Sequence, residues 1–131
     1  MSAEPRNTLA ARPDAGLRWG ARIVLLTLLF LITNLALTPS LATPATMFGL
    51  DKLQHAVAFL VLMLVARISI VSWPLWVHAL WLAAYGATIE LLQAMGDGGR
   101  TASLADFLAD LAGILLGVLA ILFVRRVAKR P

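Results

Sequence analysis

The stretch LADFLADLAGILLGVLAILFV, residues 104–124, decides the fold. Apart from Asp106 and Asp110 it is apolar or glycine throughout. It is long enough to cross a bilayer as a helix, which takes about 20 residues. Its apolar positions do not alternate with polar ones, so a half-buried strand is excluded. Three comparable stretches precede it, near Ala21–Leu37, Leu53–Val71 and Leu75–Met95. The whole chain is 60% hydrophobic and only 14% charged, against about 25% charged in a soluble domain. The expected fold is all-α: an integral membrane bundle of about four transmembrane helices, up-and-down, in a single domain spanning residues 1–131. Absence of cysteine excludes a disulfide, a thiolate metal site and a thiol nucleophile.

The net charge of +4 sits at the two ends. Arg6, Arg12, Arg18 and Arg22 precede or open the first span, and Arg125, Arg126, Lys129 and Arg130 follow the last. Basic flanks of this kind mark cytoplasmic ends and contact anionic lipid head groups, so nucleic acid is not an expected partner. The connections near 38–50 and 96–103 carry no net positive charge. Both termini, the basic tails at 1–20 and 125–131, are therefore expected in the cytoplasm. Trp19, Trp73 and Trp76 then fall at the cytoplasmic boundary, where indole rings prefer to lie. A competing reading takes residues 1–42 as a signal peptide ending at Ser40-Leu41-Ala42. It leaves three spans and keeps the polar cluster on the same side.

Helix boundaries are expected from local chemistry. Pro39 and Pro44 end the first span. Asp51 is expected to cap the second helix, answered by Gln54. Pro74 suits the first turn of the third helix, and Gly96, Gly98 and Gly99 end it. Ser103 caps the fourth, with Asp106 at the third helical position.

In an up-and-down bundle the interior ionisable residues converge. Asp51, Lys52 and His55 open the second span, Glu90 and Gln93 close the third, and Arg100, Asp106 and Asp110 lead into the fourth. All eight land near one membrane face. A charged group inside lipid costs about 2.5–3.5 kcal/mol on insertion scales, so the convergence points to a site. Capping accounts for part of Asp51 and Asp106. It does not account for Asp110, which lies about 10 Å beyond Ser103 along the helix, or for Glu90. Asp106, Asp110, Gly113 and Gly117 share one helix face. Ala79, Ala83 and Gly86 make a small face on the third span, continued outward by Glu90 and Gln93. Helices three and four are expected to meet small face to small face. His78 is expected to be interfacial, and Arg67 to snorkel.

Taken together, Asp51-Lys52-Leu53-Gln54-His55 with Phe59, Glu90-Leu91-Leu92-Gln93, and Arg100 and Ser103 leading to Asp106, Asp110 and Gly113 resemble the VanZ-like family of small bacterial membrane proteins. The resemblance covers the core at 50–117. That family shows an aspartate–lysine–x–x–histidine start, a glutamate–x–x–glutamine end, and an arginine followed about six residues later by an aspartate. Asp110 stands where the family often has a small polar residue. The resemblance implies an inner-membrane protein of the cell envelope, with teicoplanin-type antibiotic resistance as its typifying setting. It does not supply a reaction.

Two chemistries fit the residues themselves. Lys52 and Arg100 can hold an anionic group, such as the phosphate of a lipid-linked envelope precursor. Glu90, His55 and Asp110 are then the candidate catalytic acid and base groups, and Asp51, Lys52, Gln93, Arg100 and Asp106 the binding groups. Alternatively, Asp51, Glu90, Asp106 and Asp110 with His55 hold a divalent cation. A third reading has no ligand: the cluster is an ion-pair lock within the bundle. A proton or ion relay is not expected, because the ionisable residues stop at the outer third.

Overall fold

The computed structural model describes residues 13–38, 48–96 and 102–129. It holds four helices: α1 (Ala15–Leu37), α2 (Phe48–Ser69), α3 (Leu75–Met95) and α4 (Leu104–Val127). Each is long and apolar enough to span a membrane, and no strand occurs among the described residues.

The caps explain the boundaries. α1 begins earlier than hydropathy alone indicates, because the Asp14 carboxylate accepts the Leu17 N–H at 2.7 Å. α2 also begins early, at Phe48, so Asp51 lies inside its first turn and is not its N-cap. α2 stops at Ser69. Beyond it the Arg67 guanidinium gathers the carbonyls of Val71 and Trp73 at 2.7 and 3.1 Å, and Pro74 is the N-cap of α3 rather than its first helical residue. Ser103 caps α4 as expected, its hydroxyl accepting the Asp106 N–H at 3.2 Å. Gly96 is the C-cap of α3. Pro39, Pro44, Gly98, Gly99 and the Ser40-Leu41-Ala42 stretch lie outside the described residues.

Cross-helix bonds fix the up-and-down order. Arg22 Nε donates to the Ser69 carbonyl at 3.2 Å, joining the start of α1 to the end of α2. Gln93 Nε2 donates to the Ala36 carbonyl at 2.9 Å, joining the ends of α3 and α1. In mid-bundle Tyr85 donates to the Leu29 carbonyl and accepts from Thr33 at 2.8 Å. Leu25, Phe59, Leu62, Met63, Ala66, Leu82 and Ile114 form the core. Outward faces are largely apolar, as lipid contact requires.

The small-residue faces pack differently from expectation. Gly113 and Gly117 of α4 face α2, not α3. A Cβ at Gly113 would run into the Ala56 backbone, and one at Gly117 would lie 2.7 Å from Met63 Cβ. Without side chains these positions let α4 approach α2 closely. On α3 the open position is Gly86, which receives Asp110 and Phe59. His78, expected near the membrane interface, packs inside the bundle at the start of α3. It is 1% exposed, and its Nδ1–H donates to the Pro74 carbonyl at 3.0 Å, one helical turn back.

Candidate functional site

The two ends of the bundle differ sharply in charge. One end gathers Arg18, Arg22, Arg67, Arg125, Arg126 and Lys129. The other gathers Asp51, Lys52, His55, Glu90, Asp106 and Asp110, at the starts of α2 and α4 and the end of α3.

At the acidic end the side chains meet in two layers. The outer layer is an ion pair: Lys52 Nζ lies 2.8 Å from Asp106 Oδ1, with 31% and 16% of the side chains exposed. The deeper layer is His55 and Asp110, with Nδ1 and Oδ1 2.8 Å apart and Asp110 1% exposed. Both residues lie about 10 Å inside the ends of their helices. Asp110 fits there because Gly86 faces it without a side chain.

Glu90 completes the deeper layer from α3. It is 8% exposed. Its Oε2 accepts the Ser103 N–H at 2.6 Å, satisfying an orphan donor at the start of α4. Glu90 is therefore partly a cap, donated by a neighbouring helix, which sequence spacing within one helix could not reveal. Its Oε1 is buried with no hydrogen-bond partner. One donor atom from each of His55, Glu90 and Asp110 lies within 4.8 Å of the others. Asp51, His55 and Asp106 form a second such group, more exposed.

A pocket of about 120 Å³ opens against this layer. Ile32, Leu35, Ala36, Ala58, Phe59 and Ile89 give it apolar walls, and Asp51, Gln54, His55 and Asp110 give it a polar end. The sequence did not single out Gln54 or the α1 wall as site residues, since α1 carries no ionisable signal at that end.

Of the eight expected site residues, the structure joins Lys52 to Asp106 and His55 to Asp110, with Glu90 beside the second pair. Asp51 is exposed at the rim and lines the pocket. The Gln93 amide is directed to the Ala36 carbonyl, where it ties helices together. Arg100 lies outside the described residues. Compared with family models, curated proteins and solved structures, the chain matches none.

Proposed function

We propose that this chain is a multi-pass inner-membrane protein of the bacterial envelope that binds a lipid-linked, phosphate-bearing envelope component at its acidic end. The observation that carries the reading is the pocket, which has apolar walls and ends on His55 and Asp110. That pairing suits an amphiphile whose tail lies on Ile32, Leu35 and Phe59 and whose head reaches the polar layer. The motif resemblance to the VanZ-like family supports the envelope setting and links it to glycopeptide resistance. The basic opposite end supports an orientation with both termini cytoplasmic and the pocket outward. Lys52, held by Asp106 at the rim, and Arg100, expected from the sequence, are the cations that would meet an anionic head.

His55, Glu90 and Asp110 could also move a proton on such a head group, which makes an enzyme of the same site. The reading without a ligand rests on a specific observation as well: Lys52–Asp106 joins α2 to α4 and can serve as a structural lock. Cells separate these. Wild-type protein should alter susceptibility to a glycopeptide or to envelope stress, and His55→Ala, Glu90→Gln and Asp110→Asn should lose the effect at matched protein levels. Full effect in all three would remove the site reading and leave the lock.

A further inference from the structure

We propose that His55, Glu90 and Asp110 form a binding site for one divalent transition-metal ion. The donor set is one imidazole nitrogen and two carboxylates, a mixture that suits zinc-type ions better than calcium or magnesium, which favour oxygen alone. The donors already lie within 4.8 Å of one another, from three different helices. An ion held at about 2.0–2.2 Å from each donor would take the place of the hydrogen bond between His55 and Asp110.

The independent observation is Glu90 Oε1. Glu90 is more than nine-tenths buried, and this oxygen has no donor, while its twin takes the Ser103 N–H. Charge tells the same story. With one proton shared by the His55–Asp110 pair, an ionised Glu90 would have only the partial charge of a helix start beside it. An ion of charge +2 would balance both acids and give the Glu90 carboxylate a second partner. A buried charge without a partner is costly, so the balance matters here more than at the surface. The outer group of Asp51, His55 and Asp106 is the weaker candidate, because Asp106 Oδ1 already holds Lys52 and Asp51 is exposed.

The ion also bears on the proposed lipid site. Among the described residues, four acids at this end oppose an anionic head group, and a divalent cation between carboxylates and phosphate reverses that repulsion. Only this use rests on the lipid reading; metal binding stands without it.

The test is a titration of the purified, metal-stripped full chain in detergent with Co²⁺ alone, followed by competition with Zn²⁺. Wild type should take up one Co²⁺ per chain with a visible absorption band that Zn²⁺ removes. His55→Ala, Glu90→Gln and Asp110→Asn should each weaken binding at least tenfold, and Lys129→Gln at the opposite end of the bundle should change it less than threefold. Circular dichroism checks that each variant is helical. His55→Cys guards against loss through misfolding: it should bind Co²⁺ and add a thiolate-to-cobalt band in the near ultraviolet. No uptake by wild type, or equal uptake by Glu90→Gln, overturns the proposal. Native mass spectrometry of the same samples distinguishes the two readings. A retained envelope lipid without metal uptake defeats the metal site alone. Metal uptake with no retained envelope lipid defeats the lipid site alone.

Discussion

Gly86 of α3 and Asp110 of α4 occupy complementary space: a Cβ at Gly86 would lie 2.8 Å from Asp110 Oδ2. The buried acid depends on a missing side chain one helix away. Gly86→Ala must push the carboxylate or the Phe59 ring, whose nearest atom would be 3.2 Å from the new methyl. Overpacking of this kind costs about 1–3 kcal/mol. Gly86→Ala should therefore lower the midpoint of thermal unfolding in detergent. Gly20→Ala, where nothing lies within 4 Å, should leave it unchanged or raise it slightly through helix propensity. Equal stability for Gly86→Ala and wild type would contradict the packing of Asp110.

The α2–α4 contact should be less forgiving at Gly113 than at Gly117. A methyl at Gly113 meets the Ala56 main chain, which can move only with its helix, whereas one at Gly117 meets the Met63 side chain first. Gly113→Ala should lose more stability and yield than Gly117→Ala. The reverse order in thermal unfolding would show that the helices cross elsewhere.

The Lys52–Asp106 pair should contribute modestly. It is partly exposed, and solvent-accessible pairs contribute little to stability. A double-mutant cycle with Lys52→Met and Asp106→Asn should give a weak coupling. A coupling as strong as that of a buried ion pair would favour the lock.

Orientation can be read with single cysteines, because the chain contains none. Leu104→Cys lies at the acidic end and Lys129→Cys at the basic end. A membrane-impermeant maleimide should label the first in cells with an intact inner membrane, and the second only after lysis. The opposite pattern would turn the site toward the cytoplasm.

The spans were legible because lipid demands long apolar runs, and Leu75–Met95 matches the structure at both ends. Ser103 was legible as a cap because its bond is local. What crosses between helices was less so. The meeting of His55 with Asp110 follows from helix depth, but the partner of Gly113 depends on rotation about the α4 axis, which sequence spacing leaves open. His78 is a second case: a lone histidine near a span end gives no sign that its own helix start will bury it against Pro74. Gln93 shares a face with Glu90 yet bonds to α1, since its longer amide reaches the Ala36 carbonyl.

The proposed lipid site at the acidic end is tested most directly by native mass spectrometry of the chain purified from membranes. Wild type should carry a lipid-linked phosphate component beyond the bulk phospholipids. Ala58→Phe, which fills the pocket, and Glu90→Gln, which alters the polar layer, should both lose it while remaining folded. Bulk phospholipid alone on wild type, or the same retained component on all three proteins, would contradict the claim.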